Sequence, residues 1–214
     1  SLHDALPISQ HRVVNVAGTL VWNGGRIFQS GSGVQGILHV WPGGVLELAG
    51  DNSIHDGAVH NQGLIVKTAG SSTPDTVVSG FVTRLLQNGV FRIQAGGVEL
   101  SRSSESTGSF ELSAGTVLHL SGSRLRFTPG SRISGAGRLR VNSGTTEIRG
   151  GLGPLGGVEV LSTVLVESSA PVVLDSLVLT GTLGGRGEIA VTRDFEWRGG
   201  RMEGAGTFRL DPLG

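Results

Sequence analysis

Cysteine and tyrosine are absent from this 214-residue sequence, and methionine occurs once. Without cysteine there is no disulfide framework, no thiolate metal site and no cysteine nucleophile. Charged residues are scarce at 16%, and 17 Lys plus Arg offset 17 Asp plus Glu for a formal net charge of +0. That balance gives no global attraction to nucleic acid. Uninterrupted apolar runs of about 18 residues are missing, so no helix of this segment inserts into a membrane. No window of about 11 residues carries an amphipathic helical period. Several catalytic motifs are also missing: a Gly-x-Ser-x-Gly elbow, a His-Glu-x-x-His helix and a phosphate-binding loop. GSGVQG (Gly31 to Gly36) has dinucleotide-motif spacing, but no βαβ pattern encloses it. GGRGEIAV (Gly184 to Val191) approaches a calcium-binding nonapeptide, yet Ile189 stands where Asp is required.

Glycine is abundant. It supplies 37 residues, against a usual share of about 7%. Hydrophobic residues make up 37%, enough for a core and unlike a disordered composition. The glycines punctuate a pattern, Gly-x-apolar-x-apolar, with starts at Gly18, Gly36, Gly63, Gly89, Gly108, Gly137, Gly156, Gly187 and Gly206. Six of these nine units close on another glycine: Gly25, Gly43, Gly70, Gly96, Gly115 and Gly144. Alternation of period two predicts a short strand in each unit. Two inward columns result. One contains Leu20, Leu38, Ile65, Phe91, Phe110, Leu139, Val158, Ile189 and Phe208. The other contains Trp22, Val40, Lys67, Ile93, Leu112, Val141, Val160, Val191 and Leu210. Lys67 is the misfit, and a one-residue slip would send Leu64 and Val66 inward instead. Further strands follow the glycine turns, as at Gly44–Leu48, Gly97–Leu100 and Thr116–Leu120.

Strand, glycine turn and strand, repeated without helices, predict an all-β fold. The expectation is a single-stranded right-handed parallel β-helix, a β-solenoid of about nine coils, in which stacking buries what one coil cannot. Corner glycines would supply the positive φ angles of sharp turns. A β-sandwich or β-propeller is the rival, but neither requires one template to recur in register. The solenoid is expected over residues 13–214, truncated at both ends. Residues 1–12 read as a non-native or uncapped segment, since Ser1 to Ser9 has no repeat character and is similar to translated adapter sequence. Exposed strand edges of such a fragment would favour end-to-end association.

Charge patterning offers few sites. Between the inward columns, the outward position reads Arg92, Glu111, Arg140 and Glu159 over four consecutive units, which predicts ion pairs between stacked coils. A local excess of arginine between Ser121 and Gly150 makes Arg124, Arg126, Arg138 and Arg140 candidates for polyanion binding, with Arg132 and Arg149 nearby. Asp51, His55, Asp56 and His60 crowd into one stretch and are the candidate metal ligands, with Asp75 the nearest further acid. A polar, solvated loop with Asx turns is the favoured reading of this stretch over a metal site, and no cofactor is expected. His39 and His119 fall on outward strand positions and are expected at the surface. Trp22 and Trp197, in Gly-Gly corner motifs, are expected to stack on the core.

WNGGRIFQSGSG (Trp22 to Gly33) and WRGGRMEGAGT (Trp197 to Thr207) share Trp-x-Gly-Gly-Arg-apolar followed by Gly-x-Gly. With the Pro-Gly-Gly and Ala-Gly-Gly turns, this style resembles the repeat regions of bacterial autotransporter passengers and filamentous-haemagglutinin-like adhesins. The resemblance implies a secreted β-helix displayed on a Gram-negative-type cell surface, with host or matrix glycans or sibling cell surfaces as partners. It carries over no catalytic residue. The expected role is therefore a structural or adhesive stalk without catalysis. The alternative is a fragment of a carbohydrate-active β-helix enzyme, a polysaccharide lyase or hydrolase, whose acid/base carboxylates would converge from adjacent coils.

Overall fold

The computed structural model describes residues 12–28, 36–70 and 79–211. Ser1 to Ser9, most of the GSGVQG stretch and Asp75 lie outside them. The described residues contain 23 strands and no helix. All belong to one sheet wound into a parallel β-solenoid of about nine turns. Every strand pair with a defined register is parallel, as in Val13↔Ile37, Thr19↔Val45 and Gly25↔Asn52, which excludes an antiparallel sandwich.

Each turn crosses three faces. Face 1 begins with β1 (Val13–Val16) and β4 (Ile37–Val40), and continues through the second half of β6 (Asn52–Asn61) and of β8 (Gly80–Gln87). It then runs over β11 (Ser104–Ser106), β14 (Arg124–Phe127), β16 (Thr145–Ile148), β18 (Thr163–Val166), β20 (Thr182–Gly185) and β22 (Arg201–Met202). Face 2 holds β2 (Thr19–Trp22), β5 (Val45–Leu48), β7 (Leu64–Lys67), β9 (Val90–Ile93), β12 (Ser109–Leu112) and β23 (Thr207–Leu210). It also takes the first halves of β15 (Arg132–Val141), β17 (Gly151–Val160), β19 (Val172–Leu179) and β21 (Glu188–Trp197). Face 3 comprises β3 (Gly25–Phe28), the first halves of β6 and β8, β10 (Gly97–Leu100), β13 (Val117–Leu120) and the second halves of β15, β17, β19 and β21.

Four-residue strands such as β4, β5, β9 and β12 alternate buried and partly exposed side chains, because successive residues of a strand point to opposite sides. Two inward residues per strand, from three faces, fill the tube. Phe81, Phe91, Phe110 and Phe127 meet there although they come from all three faces, with ring centroids 5.4, 5.6 and 5.8 Å apart in that order. Leu38, Leu46, Leu48, Val59, Ile65, Phe91, Ile93, Leu118 and Leu139 are wholly shielded from solvent.

The nine sequence units do not form one column. Those starting at Gly18, Gly63, Gly89, Gly108, Gly187 and Gly206 lie on face 2, but Gly36 opens a strand of face 1, and Gly137 and Gly156 precede strands of face 3. Each unit falls in a different turn, but the turn of β18 and β19 has none and the Gly206 unit lies in the incomplete turn after the ninth, so the count of about nine agrees while the spacing is irregular. Inward orientation is correct for nearly all of the expected residues. Phe208 is only partly buried and Leu210 is 56% exposed on the last described strand. Phe110 stacks between Phe91 and Ile133 rather than between Phe91 and Leu139.

Glycine plays two separate parts. All six closing glycines have positive φ, from 64° at Gly96 to 139° at Gly70. At the corner between faces 1 and 2 the opening glycines after Gly18 are required by space instead. A Cβ on Gly89 would lie 2.2 Å from the Gly63 carbonyl oxygen, and one on Gly108 would lie 2.2 Å from that of Gly89. The same carbonyls accept the ladder hydrogen bonds of the next turn, Val90 N to Gly63 O and Ser109 N to Gly89 O.

Candidate functional site

Lys67 keeps the register that its neighbours set. It points into the tube and its side chain is 0% exposed. Slipping the strand to rescue one lysine would expel Ile65, so the chain solvates the ammonium internally instead. Its Nζ donates to Gly50 O (3.0 Å), Ala69 O (2.8 Å) and Ser79 Oγ (2.8 Å). The Asp51 carboxylate lies 3.8 Å away. Burial lowers the lysine pKa from 10.5, and Asp51 opposes that shift. Three donors with three acceptors make this a structural clamp on the corner between faces 2 and 3.

The four candidate metal ligands are dispersed by the same topology. Asp51 faces Lys67 at one corner, and His55 sits on face 3 with Nε2 3.1 Å from Ser53 Oγ. Asp56, at φ 60°, turns the next corner and pairs with Arg102 at 3.8 Å. His60 lies on face 1 beside His39, with ring centroids 5.8 Å apart. Its pKa is lowered, first by burial, then by His39 and Arg84. Among the described residues no three His, Cys, Asp or Glu side chains gather around one point.

The arginine band separates likewise. Arg124 and Arg126 belong to face 1, Arg132 to face 2, and Arg138 and Arg140 to face 3. Of the expected charge ladder, Arg92–Glu111 (2.7 Å) and Arg140–Glu159 (3.1 Å) form, on faces 2 and 3 respectively. Glu111 and Arg140 are not neighbours: Glu111 stands beside Ser134, and Arg140 beside His119. His119, expected at the surface, is 2% exposed. It lies close to Gly97, whose missing side chain leaves it room, with Asn142 Nδ2 3.3 Å from its Nδ1. Trp22 is buried as expected and its indole N–H donates to Gly24 O, but Trp197 is 55% exposed.

Two features had no counterpart in the sequence reading. Trp41 is 44% exposed, stacked on His39 at 4.2 Å, with its indole N–H donating to Asn15 Oδ1 at 2.9 Å. The larger feature is a groove of about 660 Å³ along the corner between faces 3 and 1. It runs from Asp56 past Arg84, Arg102 and Ser103 to Ser123 and Ser143. A second depression of about 310 Å³ shares Arg84 and Ser103 with it and adds Ser104, Arg124, Arg126 and the carboxylate of Glu105, which stands beside Arg126 in the register. The signal in the sequence was the corner triplets Ser101-Arg102-Ser103 and Ser121-Gly122-Ser123, one turn apart, legible only once the register is known.

Comparison with protein-family models, with curated proteins and with solved structures returns no match for this chain.

Proposed function

We propose that this chain is a structural and adhesive stalk segment of a secreted or surface-displayed bacterial protein, without catalysis of its own. The observation that carries the reading is the apolar cluster that extends along the interior from Val16 to Val191, with polar side chains entering it between Asn52 and Gln87, around which three short-stranded faces repeat. Such a rod sets distance and presents repeated outward positions, and each turn is held by its neighbours. A right-handed winding of the kind found in autotransporter passengers and filamentous-haemagglutinin-like adhesins is the finer reading, supported by the twice-used Trp-x-Gly-Gly-Arg turn.

Two measurements test it. Antibodies raised against this segment should label intact cells of the source organism, and external protease should remove the signal. Labelling only after lysis would overturn the surface assignment. Incubation with acidic and neutral polysaccharides, with and without calcium, should release no unsaturated or reducing sugar ends. Release would overturn the non-catalytic assignment in favour of a carbohydrate-active enzyme.

A further inference from the structure

We propose that the corner between faces 3 and 1 binds an acidic polysaccharide laid along the rod axis, anchored by Arg84 and Arg124. The inference deepens the stalk reading by giving its adhesive face a location and a ligand class.

The register builds the site. Glu105 stands beside Leu86, and Ser104 beside Leu125, so extending each parallel pair places Ser103 between Arg84 and Arg124 on successive turns. Parallel strands stack about 4.8 Å apart, so the two arginine backbones are separated by roughly 10 Å along the axis. Other cations of the groove are partly neutralised: Arg102 lies 3.8 Å from Asp56, and Arg126 lies 3.6 Å from Glu147. Arg84 and Arg124 are exposed and have no ion-pair partner among the described residues. Guanidinium forks at such a spacing suit sulfates or carboxylates that recur along a linear polymer.

The floor between them is a row of hydroxyls already held in place. Ser103 Oγ and Ser123 Oγ are 2.9 Å apart, and Ser103 Oγ accepts from Arg124 N at 3.3 Å. Ser143 Oγ donates to Ser121 O at 2.8 Å one turn later. Fixed hydroxyls match sugar hydroxyls in kind and in axial repeat. Among the described residues no aromatic side chain lines either depression, so nucleobases would find nothing there to stack on. Beyond Arg124 the same face 1 position becomes Thr145, Thr163 and Thr182 and then Arg201, which pairs with Glu203 at 3.0 Å, so the arginines of this position without an ion-pair partner lie in the middle turns.

The test is binding of the purified chain to heparin, polygalacturonate, dextran and a DNA duplex, at about 50 and about 200 mM salt. The expected result is salt-sensitive binding to heparin or polygalacturonate and none to dextran. Arg84→Ser combined with Arg124→Ser should weaken it roughly ten-fold or more. Arg138→Ser on face 3 should change it less than about two-fold. All variants should melt with the wild type, since the three side chains are exposed. No binding to either acidic polymer, an unaffected double variant, or equal binding to duplex DNA would each overturn the proposal. None of these would touch the stalk reading, which fails on sugar-end release or on absence from the cell surface.

Discussion

The turns between Asn52 and Gln87 and those between Arg132 and Val191 share three faces, yet they are filled differently. In the first region the corner excursions are long: Cα partners such as Leu64↔Val90 and Ser53↔Gly80 are 26 and 27 residues apart. Its interior contains Asn52, Asn61, Lys67, Ser79, Thr83 and Gln87. In the second region the partners Arg132↔Gly151 and Thr163↔Thr182 are 19 apart, and the large inward side chains are aliphatic, among them Ile133, Leu139, Ile148, Val160 and Val166. Long excursions and polar filling occur together for a physical reason. A buried backbone group off the ladder must find another partner. Asn61 Nδ2 donates to Gln87 Oε1 (2.8 Å) and Val90 O (3.0 Å), and Gln87 Nε2 donates to Ser109 O (3.2 Å) and adds a second bond to Gly89 O (3.0 Å), which already accepts from Ser109 N. Lys67 does the same for Gly50 O and Ala69 O. Polar residues inside the tube therefore mark where the winding is irregular.

The largest effect should come from charging the apolar stack itself. Phe110→Asp buries a carboxylate between Phe91 and Ile133 and should cost at least about 4 kcal/mol. Loss of the strand signal in circular dichroism at room temperature would report it. A variant that melts like the wild type would show that the inward column is misassigned.

Corner packing comes next. Gly89→Ala should destabilise by about 1 to 3 kcal/mol in urea titrations, because its Cβ meets backbone that cannot retreat. Gly18→Ala belongs to the same sequence pattern but has nothing within 4 Å. It should stay within about 0.5 kcal/mol of wild type. Neither glycine has a positive φ, so equal effects would mean that space does not govern this corner.

Lys67→Met probes the polar region directly. If the lysine were an accident of composition, methionine between Leu48 and Ile93 would stabilise the tube. As a clamp its loss leaves the Gly50 and Ala69 carbonyls short of a donor, while Ser79 Oγ keeps its bond from Asn52 N (3.2 Å), and should cost about 1 to 3 kcal/mol at neutral pH. The difference should also depend on pH. Because the folded lysine titrates below 10.5, the unfolded chain holds more protons between the folded value and 10.5. Wild-type stability therefore rises relative to Lys67→Met as pH climbs through that window. A flat difference up to pH 10.5 would show an unperturbed amine.

The smallest effect is expected on the outer faces. Arg92→Ala removes a pair whose side chains are 41% and 43% exposed, and should change stability by no more than about 0.5 kcal/mol. A larger loss would mean that the outward ion pairs, not the interior, hold the turns together.

Alternation and glycine spacing were enough to fix which residues face inward, the parallel solenoid and the number of turns. These are local matters: a strand's side chains alternate whatever it pairs with, and a closing glycine such as Gly96 is selected by its own φ. Even Lys67, which the pattern treated as an error, was in register. Which unit stacks on which was decided by the tertiary structure, because faces 1, 2 and 3 use the same short apolar alternation and the chain does not label them. For that reason Glu111 and Arg140 fell on different faces, and Asp51, His55, Asp56 and His60, close in sequence, were divided between corners and faces. It is also why Arg84, Ser103 and Arg124, scattered over 40 residues, came to share one groove. A winding chain brings together residues one turn apart, and the length of each turn depends on how its corners pack.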